Sequence, residues 1–268
     1  MSGNDGHYGT LFSLEDRVVL ITGGAGYLGS EMSKGLASFG ARVIVLGRTG
    51  GRFQELQDFK PDHPTGGIEC RVCDVRDEAA FAAVVDSVWQ QHGRLDALIN
   101  HAASGGREKW EDLTTEAWRA GIAGTLDHYF TCTKAVSSYM LKARRGVIVN
   151  TASLWSFLAP NPKMYLDLNI QAPAHTLAAK GGVLQLTRYL AAVWAPHGIR
   201  VNALTPGWCP KKRGPERPDY MREITSRVPM ERVGVPSDLV GAMVFLVSDA
   251  SAYMTGHNLV VDGGYSIW

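Results

Sequence analysis

Thr176 and Lys180, one helical turn apart, carry groups that could move a proton. Residues 173–198 read PAHTLAAKGGVLQLTRYLAAVWAPHG, and a segment that starts with proline and ends at Pro-His-Gly predicts a helix. Residues four apart share one helix face, so the hydroxyl and the ammonium lie side by side. A hydroxyl in that position can give a proton to a substrate oxygen, or take one from it.

Threonine is a weak choice for this chemistry. A phenol has a pKa near about 10, which a neighbouring ammonium lowers toward neutrality. An aliphatic alcohol starts several units higher, near the value of about 15.7 for bulk water. Thr176 is also shorter than a tyrosine would be. We therefore expect it to hold a water molecule and to be a poor general acid by itself.

A glycine-rich turn near the start of the chain predicts a dinucleotide site. Residues 18–30, VVLITGGAGYLGS, place three glycines between an apolar strand and a helical pattern. Glycines at this spacing let the backbone approach a pyrophosphate, which then rests on the N-terminus of the next helix. The candidate contacts are Gly23, Gly26, Tyr27, Leu28 and Gly29.

Strand-like and helix-like segments alternate along the chain and must position these residues. Apolar runs at 17–22, 41–47, 146–153 and 199–207 predict buried strands separated by amphipathic helices. Such alternation gives parallel strands joined by right-handed crossovers. We therefore predict an α/β fold, a single-domain Rossmann-like doubly wound parallel sheet of about seven strands flanked by helices.

Two segments are expected to stand apart from this domain, which spans 13–268. Residues 1–12 are polar and glycine-rich and predict a flexible N-terminal tail. Residues 208–234 are polar and proline-rich, too long for an ordinary loop, and predict a lid.

Composition excludes several kinds of partner. The formal net charge is +1, so no basic excess favours nucleic acid or an anionic membrane. The apolar stretches are too short to span a bilayer, and the first residues do not resemble a signal peptide. Cys70 and Cys73 lie in an alternating strand pattern that points them to opposite faces, so we predict free thiols and no metal site. We expect a cytoplasmic protein that acts on a small molecule.

Several motifs together resemble the short-chain dehydrogenase/reductase family. TGGAGYLG (22–29), NHAA (100–103), RVNALTPG (200–207) and VDGG (261–264) fit its pattern, although Gly26 stands one residue earlier than the family's middle glycine. The resemblance spans about residues 14 to 265 and implies hydride transfer between a nicotinamide and a carbonyl or alcohol carbon. It implies further cofactor contacts at Asp74, Val75, Asn100, Ala102, Lys180, Pro206 and Gly207.

The family's catalytic residues carry over only in part. Its serine, which orients the substrate oxygen, falls at Ser153, and its lysine, which bonds the cofactor ribose, falls at Lys180. The family's tyrosine, which acts as the general acid or base, is replaced by Thr176. Its asparagine, which holds a water of the proton relay, is replaced by Thr125. The catalytic set implied by the resemblance is therefore incomplete.

Other residues could supply the missing proton. Tyr165 lies between Ser153 and Thr176 in a stretch longer than the family's usual spacing, and it is the first candidate. His101 and His128 also fall close to the expected pocket, and His175 adjoins Thr176 but points elsewhere around the helix.

The end of the second strand favours NADP(H), with NAD(H) possible. Binding of NAD usually needs an acid there to hold the ribose 2′-hydroxyl. The sequence has Gly47 at that position, followed by Arg48, which can pair with a 2′-phosphate.

The function best supported by the residues is an NAD(P)(H)-dependent oxidoreductase for a small polar carbonyl or alcohol. The resemblance favours a sugar or polyol as the substrate. The proton donor of the enzyme is expected to be non-standard. Two alternatives stay open: an isomerisation, elimination or cyclisation in which the cofactor is structural or recycled, and a catalytically silent cofactor-binding protein. The helices at 115–143 and 173–198 are more apolar than one sheet face requires, which predicts a homo-oligomer, a dimer or tetramer.

Overall fold

A single parallel sheet organises the chain. The structure, a computed structural model, describes residues 8–106, 108–161, 172–211 and 218–268. Within them, seven strands lie in the order β3-β2-β1-β4-β5-β6-β7, and every neighbouring pair is parallel. The strands are β1 (Val18–Thr22), β2 (Arg42–Gly47), β3 (Gly67–Val72), β4 (Ala97–Asn100), β5 (Gly146–Thr151), β6 (Ile199–Pro206) and β7 (Asn258–Val261).

Helices cover both faces of this sheet. They are α1 (Tyr27–Ser38), α2 (Phe53–Gln57), α3 (Glu78–His92), α4 (Thr115–Ile122), α5 (His128–Ala143), α6 (Ala174–Trp194), α7 (Pro218–Ser226) and α8 (Val240–Val247). None of the helices in the described ranges is both long and apolar enough to cross a lipid bilayer.

The strands form because their apolar residues are buried on both sides. In β1, Val19 and Ile21 face a core shared with α1 and α8. Val18 and Leu20 face a second core shared with α3 and α5. Strands covered on both faces read as continuous apolar runs, which is the pattern seen in the sequence. The predicted doubly wound sheet of about seven strands is confirmed.

The winding of the chain reverses between β1 and β4. β1 pairs with β2 on one side and with β4 on the other, so the connections after these two strands diverge. In open α/β sheets ligands bind at the carboxyl ends of the strands beside such a reversal. The glycine turn follows β1, and the loop at 101–106 follows β4, so both segments meet at this point.

The segment 115–143, predicted as one long helix or two stacked helices, is continuous but contains a π-helical turn. α4 ends at Ile122, residues Ala123–Asp127 form the π turn, and α5 begins at His128. A π turn inserts an extra residue into the helix and often occurs at functional sites. Here it places Gly124 and His128 at the carboxyl edge of the sheet.

The two segments expected to stand apart both carry ordered contacts. In the expected tail, the Leu11 carbonyl accepts a hydrogen bond from the Ala250 amide at 3.0 Å, and the rings of Phe12 and Phe245 lie 6.3 Å apart. Leu11 and Phe12 thus contact α8 and the turn after it, whereas Tyr8 is exposed, and a flexible tail over residues 1–12 stays a prediction. Residues 1–7 lie outside the described ranges.

The expected lid contains a helix that the sequence analysis did not predict. α7 occupies nine residues of it, and Ile224, Val228 and Val233 form a small core of their own. Trp155 and Trp208 pack against that core. The described part of this segment thus has a small core of its own, and its role as a lid stays a prediction.

Cys70 and Cys73 pack against opposite faces of the sheet. Cys70 adjoins the core under α1, whereas Cys73 belongs to the core under α3. Both are free thiols, and burial raises the pKa of each. The strand alternation read from the sequence explains this separation.

Candidate active site

A cleft of about 870 Å³ opens at the carboxyl ends of the strands. It extends from the glycine turn after β1, past the loop after β4, to the ends of β5 and β6. The predicted site residues that line it are Gly23, Gly26, Leu28, Arg48, Asp74, Val75, Ala102, Ser153, Thr176, Lys180, Pro206 and Gly207. The fold therefore brings together most of the residues that the sequence singles out.

The glycine turn has the shape that a phosphate group needs. Gly23 has a φ of +68°, in the left-handed region that disfavours side chains. A Cβ at Gly29 would lie 2.4 Å from the Gly23 carbonyl oxygen, so α1 can approach the turn only with glycine there. Gly26 caps α1 without a side-chain bond, so no side chain competes for the first amides of the helix. The turn fits a pyrophosphate.

Tyr27 and Gly29, predicted as cofactor contacts, do not line the cleft. The Tyr27 hydroxyl donates to the Pro210 carbonyl at 3.1 Å and so links the start of α1 to the lid. Gly29 serves the close packing of helix and turn instead. Direct contact of either residue with a cofactor remains a prediction.

Asn100 lies beneath the cleft rather than in it. Its side-chain nitrogen donates to the Thr133 hydroxyl at 3.1 Å and to the Asn150 side-chain oxygen at 2.9 Å. Asn150 donates in turn to the Thr187 hydroxyl at 2.9 Å. This amide ladder joins β4 and β5 to α5 and α6, and it fixes the point from which the 101–106 loop departs.

Three arginines stand at the far end of the cleft. Arg48, Arg52 and Arg76 all line it, and Gly47 leaves the end of β2 without a carboxylate. The Arg76 guanidinium holds Asp74 through hydrogen bonds of 3.0, 3.2 and 2.6 Å and lowers the pKa of that carboxyl to about 2. The three cations outnumber this carboxylate, so the end of the cleft suits a phosphate.

Lys180 reaches the cleft from α6 and is almost fully buried. Its ammonium donates to the Thr151 carbonyl oxygen and, at 3.2 Å, to the Tyr129 hydroxyl. The ammonium also lies 4.9 Å from the centre of the Tyr129 ring. Burial lowers the pKa of Lys180 to about 7. Its charge therefore changes near neutral pH.

Two hydroxyls share the cleft with this ammonium. The Ser153 hydroxyl accepts a hydrogen bond from the Trp155 amide at 3.2 Å, while the Ser153 amide donates to the Ser156 hydroxyl at 3.0 Å. This reciprocal pair fixes Ser153 at the end of β5. Thr176 lines the cleft one turn before Lys180. Thr125 is buried and does not line it.

His101 and His128 line the cleft but are not protonated at neutral pH. The His101 Nδ1 lies 3.1 Å from the Thr151 hydroxyl, and burial together with the Lys180 charge lowers the pKa of His101 to about 4. The His128 Nε2 lies 2.8 Å from the Ala102 carbonyl, and burial lowers its pKa as well. A neutral His128 donates to that carbonyl, so it anchors the loop after β4.

His175, a further candidate from the sequence, lies away from the cleft. His175 is fully buried against Gly105 and Gly121, and it does not line the cleft. Tyr165 lies outside the described residues, so its role as a proton donor stays a prediction.

Several residues that contribute to this site were not expected from the sequence. Arg52 and Arg76 line the cleft, and Tyr129 and Thr151 hold Lys180. Arg76 follows Asp74 by two residues, and side chains so near each other in a turn can form an ion pair. This spacing could have predicted the contribution of Arg76. Tyr129 carried no such signal.

The fold and the cleft define a Rossmann-type dinucleotide-binding protein. A family model described as Enoyl-(Acyl carrier protein) reductase matches residues 24–266. The chain belongs to the short-chain dehydrogenase/reductase superfamily, and it is an NAD(P)-dependent oxidoreductase of that type.

Individual relatives act on several substrates according to their names. A Bacillus subtilis protein named "Probable 2,4-dienoyl-CoA reductase" is 34% identical, and the match covers 94% of this chain and 97% of the relative. Galactitol 2-dehydrogenase (L-tagatose-forming) of Cereibacter sphaeroides is 31% identical over 97% of this chain and 99% of the relative. The crystal structure of gluconate 5-dehydrogenase from Burkholderia cenocepacia, in complex with NADP and tartrate, has a TM-score of 0.84 at 29% identity and covers 96% of this chain and 98% of that one.

Proposed function

We propose that the protein transfers hydride between NADP(H) and a carbon atom of a small polar carbonyl or alcohol, of the sugar-acid or polyol class. The observation that carries the choice of cofactor is the arginine-lined end of the cleft, where Gly47 replaces an acid and Arg48 follows. The substrate class rests on relatives named for galactitol and gluconate. The relative named for a CoA ester makes acyl thioesters the competing class.

Each end of the cleft has a role in holding the cofactor. The amides at the start of α1 and the turn at Gly23 and Gly26 bind the pyrophosphate. Arg48 binds the 2′-phosphate, and Lys180 hydrogen-bonds the ribose next to the nicotinamide. The nicotinamide supplies or accepts the hydride when it is bound.

The chain's own residues orient the substrate and move the proton. Ser153 is fixed by its reciprocal bonds with the next turn and hydrogen-bonds the substrate oxygen. A water held between Ser153 and Thr176 relays a proton between bulk solvent and the substrate oxygen, because neither hydroxyl is a strong enough acid to act as the donor itself. Tyr165 is the alternative donor.

Turnover measurements test this proposal. The purified protein is mixed with NADPH and a panel of keto-sugars, keto-acids and acyl thioesters, or with NADP⁺ and polyols, and the absorbance of reduced cofactor is followed. We expect slow turnover with a sugar-type substrate. Cofactor binding without turnover on any compound would contradict the proposed reaction and favour the silent cofactor-binding alternative.

The variant Thr176→Tyr sharpens the test. It restores a phenol one turn before Lys180, and the adjacent ammonium lowers the pKa of a phenol. A positioned general acid contributes about a hundredfold or more to the rate. We expect kcat to rise by that order while the affinity for NADPH stays the same. An unchanged kcat would show that proton transfer does not limit the reaction.

Two further properties are proposed with the function. We infer that the protein assembles into a homo-oligomer, since α5 and α6 expose Phe130, Tyr189 and Val193. A cytosolic location remains a prediction from the sequence.

A further inference from the structure

Tyr129 is a buried phenol behind Lys180 that the proposed reaction does not use. It lies on α5, one turn after Thr125, and its side chain has no exposed surface. Its hydroxyl donates to the Thr151 carbonyl at 3.2 Å and accepts from the Lys180 ammonium at the same distance. Substrate in the cleft cannot reach this hydroxyl, so Tyr129 acts only through its neighbours.

The groups around the Lys180 ammonium come from three elements. α5 contributes Tyr129 and His128, β5 contributes the Thr151 carbonyl, and the loop after β4 contributes His101. In the part of the chain that the structure describes, no carboxylate forms an ion pair with Lys180. Neutral acceptors and an aromatic ring therefore hold the buried charge.

We propose that Tyr129 is the positioning residue for Lys180: its hydroxyl and ring fix where the ammonium lies behind the cleft. Tyr129 approaches the ammonium from α5, whereas Lys180 itself extends from α6. This inference rests on the proposed function, because it assigns Lys180 to the ribose beside the nicotinamide.

The measurable consequence is a difference between the affinities for NADP⁺ and NADPH, which depends on the charge of Lys180 near the nicotinamide. A protonated Lys180 disfavours the cationic ring of NADP⁺ and not the neutral ring of NADPH. The ratio of the two dissociation constants therefore falls when the lysine loses its proton. At a separation of about 6–12 Å and an effective dielectric constant of about 20, this charge changes the ratio by about ten- to a hundredfold. NADP⁺ and NADPH carry the same phosphates, so the effect of the Lys180 charge on phosphate binding cancels in the ratio of their dissociation constants.

Tyr129→Phe keeps the ring and removes the hydroxyl. The ammonium loses one hydrogen-bond acceptor, so its charged form is less favoured. The ratio of the dissociation constants for NADP⁺ and NADPH, measured by protein fluorescence from about pH 5.5 to about pH 9.5, should then change at a pH lower by about one unit. His101 has a pKa of about 4 and stays neutral throughout this range.

Two further variants make the result decisive. Tyr139→Phe removes an exposed hydroxyl from the same helix, where it bonds Asp86 at 2.5 Å, and should leave the midpoint of the ratio unchanged. Tyr129→Met removes the ring as well and should move the midpoint further down than Tyr129→Phe. Should Tyr129→Phe fail to fold, Tyr129→Met carries the same test.

The outcomes separate this inference from the proposed function. A wild-type protein that binds neither NADP⁺ nor NADPH would overturn both. A wild-type midpoint near neutral pH that Tyr129→Phe and Tyr129→Met leave in place would overturn the positioning role alone, since a packing role changes both affinities without moving the midpoint. A downward shift in either variant supports the inference.

Discussion

Lys180 couples the stability of the protein to pH. In the fold its pKa falls to about 7 from an ordinary value of 10.5, so between these values the unfolded chain binds more protons than the folded one. The burial penalty is complete below about pH 7, and stability therefore rises as the pH increases from about 7 to about 10.5.

The variant Lys180→Met removes this buried charge. We expect a higher free energy of unfolding than in the wild type at neutral pH, with an advantage that shrinks as the pH rises toward 10.5. Urea unfolding at a series of pH values measures this difference, and Lys134→Met, an exposed lysine on α5, is the control. An advantage that does not change with pH would mean that the pKa of Lys180 is the same in the folded and the unfolded chain.

We propose that Arg48 decides between the two cofactors. Removing a guanidinium that pairs with a phosphate costs about ten- to a hundredfold in affinity. We therefore expect Arg48→Gln to weaken NADPH by that factor and to leave NADH unchanged, as measured by calorimetry. Arg188→Gln, on the exposed side of α6, is the matched control. Equal losses for both cofactors would place Arg48 outside the 2′-phosphate site.

Ser153, Lys180 and the glycine turn were found from short motifs, because each follows a strand or lies on a helix whose pattern is plain in the sequence. The phenol that holds Lys180 could not be found in this way. Tyr129 and Lys180 are 51 residues apart, and they meet at the end of β5, where both bond the Thr151 carbonyl. Contacts between two helices that are distant in sequence leave no periodic signal.

At the scale of elements, the contact between α1 and the turn after β1 depends on a missing side chain. In Gly29→Ala the new Cβ would lie 2.4 Å from the Gly23 carbonyl, so the helix must shift. We expect the free energy of unfolding to fall by about 1–3 kcal/mol and the affinity for NADPH to fall with it.

Gly241→Ala provides the opposite case. Gly241 is an exposed glycine of α8, and a Cβ there meets no atom within 4 Å. Alanine favours the helix over glycine by about 0.5–1 kcal/mol, so this variant should be more stable and bind NADPH normally. Thermal unfolding of both variants compares them directly. A Gly29→Ala protein with normal stability and affinity would show that the turn adjusts freely.

The strands were predicted from their apolar runs, whereas α2 and α7 were not. α7 lies in a polar, proline-rich segment that predicted a loop, and its Ile224 packs in a small core beside Trp155 and Trp208. The π turn at Ala123–Asp127 was also unpredicted, since no residue type marks it.

At the scale of the whole molecule, exposed apolar side chains on α5 and α6 predict assembly. Phe130 is 55% exposed, Tyr189 62% and Val193 45%, although both helices are otherwise packed on the sheet. We expect light scattering to give twice or four times the chain mass of 29.1 kDa. Phe130→Glu should shift the mass toward the monomer, because it would bury a charge at the contact.

Lys142→Glu, at an exposed position of α5, is the control for that variant and should leave the mass unchanged. A wild-type protein that scatters as a monomer would contradict the proposed assembly, and the exposed side chains would then need another explanation.

The amide ladder at the centre of the sheet also checks how the strands come together. Asn100 of β4 stands opposite Asn150 of β5, and the two side chains bond each other out of contact with water. Pairing β4 one position out of step would set Asn100 opposite Val149 or Thr151, and an amide left without its partner costs about 1–3 kcal/mol. A sheet with β4 and β5 in the wrong register is therefore less stable, and the bond between these two amides selects the correct register as the chain folds.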